Sequence, residues 1–379
     1  MAETQTSEVL IVGGGVIGLS IARALKKRGA GTITVVDRST PGREASYAAA
    51  GMLAPQAEAD SPDAFFRFCR ESNRMYSRFA EELLDETGVD IELDDEGTLF
   101  LAFGEDDLLE LSRRYEWQSG AGMRVEHLTA ADTHKLEPFV SPDSLGSLFF
   151  PDDRQVENRA LIKALLEFAC RNGIGIVPDT EVRSVSETDV AAEAQCADGR
   201  RFEAGTLVVA AGSWTSEIEG AEPETGIPEI RPVRGQMIAF ESAKRFFRKV
   251  IYSHRGYIVP RKFGRILAGS TTEDAGFEDR TTEEGIETIR ENAVEISPGL
   301  ANLKIAEKWS GLRPYSAAEH PFIGKVPERE RTFAAVGHYR NGILLAPLTA
   351  EILSMKILDG AESEFLKIFG DGPAKAEAA

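Results

Sequence analysis

Cysteine is scarce and dispersed. Cys69, Cys170 and Cys196 are the only three in 379 residues, an odd number without the spacing of a disulfide framework or a CxxC redox or zinc motif. A reduced, cytoplasmic setting is the expectation. Histidine is equally thin: His127, His134, His254, His320 and His338 show no HExxH or comparable ligand spacing, which speaks against a metal site. Basic residues are outnumbered, 43 Lys and Arg against 62 Asp and Glu, for a formal net charge of −19. That balance repels phosphate backbones and anionic lipid surfaces, so neither nucleic acid nor membrane is an expected partner. No run of about 18 apolar residues suggests a spanning segment. The opening MAETQTSE lacks the basic start and apolar core of a signal peptide. No internal repeat is evident either.

What is present is an ordinary globular composition, 42% hydrophobic and 28% charged. The chain is longer than one core usually serves, which predicts two lobes with room for a large ligand between them. The order of elements is interleaved. VLIV reads as a buried strand, Val16 to Gly29 as a helix, and TITVVD (32–37) as a second strand, a βαβ unit. Ser61 and Pro62 predict the cap and first turn of a long amphipathic helix running to about Thr87. Further helices are expected over 105–118 and 158–173, the latter closed by Gly173. Asp198-Gly199 reads as a hairpin turn before TLVVAAG (206–212). From Arg231 to Thr272 alternating apolar residues, including RGYIVPRKFGRILAGST, predict antiparallel strands of a different sheet. The end, TFAAVGHYRNGILLAPLTAEILSMKIL, returns to strand, turn and helix, and the tail GDGPAKAEAA reads as frayed.

The chemistry begins at EVLIVGGGVIGLSIARAL. Gly13, Gly15 and Gly18 form G-x-G-x-x-G between a strand and a helix: the first permits a tight turn, the second a close approach to pyrophosphate, and the third helix-on-strand packing. The helix start offers amide donors and the positive end of its dipole. Asp37, about 20 residues on at the end of the next strand, is placed to accept from a ribose diol and disfavours a 2′-phosphate. The small-residue run ASYAAAGMLAP (45–55) suits backbone lying against a large flat ligand. Gly212 brings another apolar strand close to that ligand, and GHYRNGILLAPLTAEIL aims a second helix N-terminus inward. Arg313, before Pro314, offers a guanidinium fork suited to a carboxylate. A structural ion pair is the alternative for it, as charge pairing near the helix start is for Arg340 and a half-buried strand position for Tyr257.

Taken together, the glycine-rich start, AAAGML, YIVPR, GLRP and GHYRNGILLAP closely resemble the FAD-dependent amine and D-amino acid oxidase superfamily, and within it the glycine oxidases of thiamine biosynthesis. The resemblance spans nearly the whole chain. It implies an α/β fold: a doubly wound, Rossmann-like FAD-binding lobe (1–80, 150–218 and 312–379) with an inserted α+β substrate lobe (81–149 and 219–311) on an antiparallel sheet. It further implies FAD lined by Val16, Ile17, Asp37, Arg38, Ala45, Ser46, Ala50, Gly51, Met52 and Val182. Related sarcosine oxidases tether the flavin through a cysteine in the C-terminal part, but every cysteine here lies at or before Cys196, so the FAD is expected to be noncovalent. His338, Tyr339, Arg340, Asn341, Gly342, Ile343 and Leu344 would pass the ring. Arg313 and Arg340 would meet substrate, with Tyr257, Met52 and Thr272 closing the pocket. Thr272 stands where such relatives can carry methionine, so a smaller, partly polar wall is expected, and the segment around Arg255 also departs from the family.

The reaction so implied is oxidative deamination of glycine and other small amines or amino acids. Hydride passes from the α-carbon to flavin N5 with no side-chain base, the imino acid yields keto acid and ammonia, and O2 gives H2O2. The glycine imine would feed thiazole synthesis, and a homo-oligomer, dimer or tetramer, is expected. Two other readings stay open on sequence: a sarcosine-type oxidase or quinone-linked flavin dehydrogenase, and a noncatalytic dinucleotide-binding regulator.

Overall fold

In the computed structural model, which describes residues 4–370, the apolar run Val9–Val12 is the buried end of a strand, Thr4–Val12. It pairs in parallel with Ile33–Val36 on one side and Arg201–Val209 on the other. A central parallel strand is covered on both faces, which is why its sequence is uninterrupted by polar residues. The sheet continues outward to Gly175–Val177 on one edge and to Thr332–Val336 and Phe322–Lys325 on the other.

One face packs on the helices Val16–Lys27, Ala64–Thr87, Asn158–Arg171 and Gly342–Asp359. The opposite face packs on Val182, Val185, Ala192 and Ala194 of an antiparallel hairpin rather than on further helices. The expected turn at Gly199 is left-handed (φ +87°). The sequence tail expected to fray lies, from Asp371 onward, outside the described residues.

A second sheet runs Ile305–Ser316, Ile230–Glu241, Arg265–Gly269, Gly256–Pro260, Val250–Ser253, Thr98–Ala102, Gly146–Phe150, Glu126–Thr129. It is antiparallel except for Val250–Ser253 against Thr98–Ala102, and helix Glu283–Ile296 covers its outer face. The strand Ile305–Ser316 runs unbroken through 311/312, so Arg313 stands on this sheet opposite Val233.

The long helix begins at Ala64, not Pro62. Asp63, rather than Ser61, is its cap: Oδ1 accepts from Phe66 N at 2.7 Å, while Ser61 Oγ donates to Asp63 Oδ2 at 3.2 Å. Aspartate caps at least as well as serine, so the later of two competing residues sets the start.

The C-terminal helix, Gly342–Asp359, is buried on every side from Ile343 to Ala350. Tyr339–Asp359 is long and apolar enough to cross a membrane by length and composition. Here it is a core element wedged against Val16–Lys27 and Ala64–Thr87. Pro347 inside it has no N–H for the carbonyl of Ile343. The hydroxyl of fully buried Tyr76 donates to that carbonyl instead, and Ser72 Oγ donates to the next one, Leu344 O, at 2.6 Å. Two polar side chains of the neighbouring helix thus repair what the proline interrupts, and the helix keeps its start, Gly342, at the cleft between the sheets.

Candidate active site

The three glycines of the fingerprint have three different reasons. Gly13 is left-handed (φ +111°), and a Cβ there would lie 2.2 Å from Ala210 O. Gly15 is the N-cap of helix Val16–Lys27, which has no acidic residue in its first turn, and the Val16 amide donates to Ser46 Oγ at 3.0 Å. A Cβ at Gly15 would meet only Ser46 Oγ, at 3.4 Å, so the Gly15 backbone borders open space there. Gly18 turns the other way: its Cβ would fall 1.9 Å from Gly13 O, so it packs helix on turn and lines no cavity.

That open space is a cleft of about 1210 Å³. Gly13, Gly15, Val16, Ile17, Asp37 and Arg38 line one end with Ala45, Ser46, Val182 and Gly212; His338, Tyr339, Arg340, Gly342 and Ile343 line the other. Asp37 Oδ2 accepts from Gly14 N at 2.7 Å and Oδ1 from Ser39 N at 2.8 Å, so the carboxylate first fixes the turn, with lone pairs left for a ligand. Arg38 lies over the Trp214 ring at 4.3 Å, and both border the cleft. Burial pushes the neighbouring Glu44 carboxyl up from the usual range. His338 is buried, its Nε2 3.2 Å from Thr349 Oγ1, and burial holds the ring neutral with a pKa lowered to about 3.

A second cavity of about 690 Å³ adjoins this cleft, sharing Ala45, Ala49, Tyr339, Arg340 and Ile343 with it. Ala50, Gly51 and Met52 border only this second cavity, away from the glycine-rich turn. The run 45–52 is held from behind: Asn158 Nδ2 donates to Ser46 O and Tyr47 O, Trp309 Nε1 to Ala48 O, and Arg261 Nη2 to Ala50 O at 2.7 Å. Small side chains therefore separate the two spaces.

Arg313 reaches into the second cavity. Its Nη2 donates to Ser270 Oγ at 2.8 Å, and both terminal nitrogens lie 3.2 Å from Thr271 O. No carboxylate stands within ion-pairing distance of it among the described residues. Gly235 on the adjacent strand makes room for the guanidinium. Tyr257 is buried and donates to Met237 Sδ at 3.1 Å. Arg340 is different: Nη2 lies 3.2 Å from both Glu58 Oε1 and Tyr252 Oη, and the Glu58 carboxylate holds its pKa well above the usual value. Charge pairing near a helix start, one of the readings open on sequence, is what this arginine does.

Three expected residues lie elsewhere. Thr272 is exposed and lines neither space: the strand ends at Gly269, and Glu273 pairs with Arg234, turning Thr272 outward. Ser270, two residues earlier, takes the wall position. Asn341 faces a third cavity beyond Arg340, and Leu344 lies in the core beneath the site. Sequence reading missed Glu58, Tyr252, Met237, Ser270, Gly235 and Trp214. Only Gly235 carried a signal, as a glycine inside a strand pattern.

A helix start without acidic residues beside a left-handed glycine, an acid at the next strand end and a long cleft floored by small residues fit a dinucleotide. Among known proteins, a family model described as FAD dependent oxidoreductase matches residues 8–355. Glycine oxidase of Bacillus licheniformis is 36% identical over 364 residues, 96% of each chain. The bifunctional protein ThiO/ThiG of Synechocystis sp. is 34% identical over 370 residues, which are 96% of this chain and 53% of that one, so the chain spans about half of it. The crystal structure of glycine oxidase from Geobacillus kaustophilus superposes with a TM-score of 0.93 at 31% identity, covering 98% of this chain and 100% of that one. The chain belongs to the FAD-dependent oxidoreductase family that includes the glycine oxidases.

Proposed function

We propose that this chain oxidatively deaminates glycine and other small amino acids or amines, giving keto acid and ammonia by way of an imino acid, with O2 reduced to H2O2. The observation that carries the reading is Arg313: a guanidinium in a cavity beside the dinucleotide cleft, held by a hydroxyl and carbonyls and, among the described residues, paired with no carboxylate. A substrate carboxylate would complete it with two parallel charge-assisted bonds. The names of the glycine oxidase and ThiO/ThiG relatives support both the substrate and a supply of glycine imine for the thiazole of thiamine.

Gly13, Gly15, Val16, Asp37 and Arg38 would hold the FAD, with the run 45–52 alongside. When bound, FAD supplies a two-electron acceptor that O2 restores. The protein positions: Arg313 fixes the carboxylate and thereby the Cα–H bond, while Met52, Met237 and Tyr257 exclude water. Among the described residues no cavity-lining side chain stands free as a base, since Glu58 is engaged by Arg340 and Tyr257 donates to sulfur. The amine therefore reacts in its neutral form. The FAD is held noncovalently, and a homo-oligomer in the cytoplasm completes the proposal; the three free cysteines accord with that compartment.

A peroxide-coupled substrate panel on the purified yellow protein tests the reading. Stoichiometric H2O2 with glycine supports it. Activity confined to N-methylated substrates, or reduction without peroxide, would favour the sarcosine-type or dehydrogenase reading. Failure of every amine would favour a noncatalytic module.

A further inference from the structure

Three charged side chains border the second cavity: Arg313, Arg340 and Glu58. They are not equivalent. Arg313 has only neutral partners, whereas Arg340 shares one terminal nitrogen between Glu58 Oε1 and Tyr252 Oη, each at 3.2 Å. The Glu58 side chain is 18% exposed and that of Arg340 39%, so the carboxylate side of the pair is the less screened by solvent. Among the described residues the cavity thus offers one free cation, and its second is neutralised from within.

We propose that Glu58 is a specificity-determining residue: by engaging Arg340 it keeps the cavity selective for ligands with a single anionic group. The proposal rests on the reading of Arg313 as the carboxylate anchor. A monocarboxylate balances the one net positive charge. A ligand with a second carboxylate brings an anion for which no cation is free and sets it near the Glu58 carboxylate. Discrimination of this kind comes from a repulsive element as much as from an attractive one. Removing the Glu58 charge while keeping its shape releases Arg340, and the cavity then presents two unpaired guanidinium groups.

The test uses ligands that cannot react. Methoxyacetate and diglycolate share an ether chain and differ by one carboxylate, and neither has an amine. Each is titrated into the oxidised FAD-loaded protein, with binding read from the flavin absorbance. The wild type should bind methoxyacetate about tenfold or more tighter than diglycolate. Glu58→Gln should strengthen diglycolate by roughly 30-fold while leaving methoxyacetate within about threefold. In the double variant Glu58→Gln/Arg340→Met the gain should vanish. Equal affinity of the wild type for the two ligands would overturn the proposal without recourse to any variant. So would a Glu58→Gln effect equal for both ligands, or a diglycolate gain that survives loss of Arg340. Arg313→Met separates the two levels: if methoxyacetate binding is indifferent to it, the anchor reading itself fails. If methoxyacetate depends on Arg313 but Glu58→Gln shifts nothing, only the selector fails.

Discussion

The guanidinium of Arg313 lies over Gly235: a Cβ built on that glycine would stand 2.0 Å from Nη2 and 2.3 Å from Cζ. The obstructing atoms are the far end of a flexible side chain, so Gly235→Ala should fold, bind FAD and melt close to the wild type. Arg313, however, must leave its seat on Ser270 and Thr271. Misplacing a positioning group by about 1 Å costs on the order of 100-fold in rate. Anaerobic reduction of the bound flavin by glycine should fall by roughly that factor. A wild-type rate would mean that the arginine's position is immaterial.

Arg313 itself gives the sharper contrast. Losing one member of a buried charge pair costs about 2 to 5 kcal/mol, so Arg313→Ala should lower the efficiency of reduction by glycine at least ~30-fold. Arg313→Lys should recover part of this, because an ammonium keeps the charge but not the planar fork. Ethylamine, lacking a carboxylate, should be a poor substrate for the wild type and lose little more in either variant. Equal losses for glycine and ethylamine would assign Arg313 to the fold or the cofactor.

The bond from Tyr76 to Ile343 O exists because Pro347 leaves that carbonyl without its helical donor. Tyr76→Phe strands a buried acceptor, which costs about 1 to 3 kcal/mol. Chemical denaturation should show that loss. Tyr76→Phe combined with Pro347→Ala should regain part of it, since alanine restores the N–H. Additive losses would mean that proline and tyrosine are not coupled.

These relationships differ in how far the sequence could announce them. The glycine-rich turn and Asp37 are legible because strand, turn, helix and acid lie within one local unit whose spacing the backbone dictates. The cap at Asp63 was missed by two residues, since two good capping residues compete there and only the fold chooses. The displacement of Thr272 by Ser270 is again local: where a strand ends decides which side chain faces the cavity. Glu58 was out of reach for another reason. It meets Arg340 across 282 residues of sequence, from a segment whose spacing holds no periodic or charge signal. Pairings of that kind depend on how two sheets are set against each other, and a one-dimensional pattern does not encode that.

His338 gives a pH signature. Burial lowers its pKa to about 3, against about 6.5 in an unfolded chain. Between those values the unfolded state binds the extra proton, so stability falls as pH drops through that window, by up to about 1.4 kcal/mol per pH unit. His338→Gln removes the titration. Melting temperatures from pH 7 to 4 should therefore decline more steeply for the wild type than for the variant, whatever the offset between them at pH 7. Parallel curves would show that His338 is protonated without penalty.

The last prediction concerns Asp37, which does two things at once. Its oxygens hold Gly14 N at 2.7 Å and Ser39 N at 2.8 Å, and they border the cleft where a ribose diol would lie. Asp37→Ala removes both the internal ties and the acceptor. Loss of a hydrogen bond to a charged group is worth about 1.5 to 3 kcal/mol, so the dissociation constant for FAD should rise by roughly 10- to 150-fold. The apoprotein should also soften, because two amides lose their acceptor. The two effects separate by comparison with Ser39→Pro, which deletes one of those N–H donors and leaves the carboxylate. If the turn alone mattered, that variant would weaken FAD as much as Asp37→Ala does. If the carboxylate accepts from the ligand, Ser39→Pro should lower the apoprotein melting temperature and leave FAD affinity within about threefold, less than one hydrogen bond's worth. Unchanged FAD affinity in Asp37→Ala, measured by ultrafiltration of the yellow protein, would place the ribose elsewhere in the cleft.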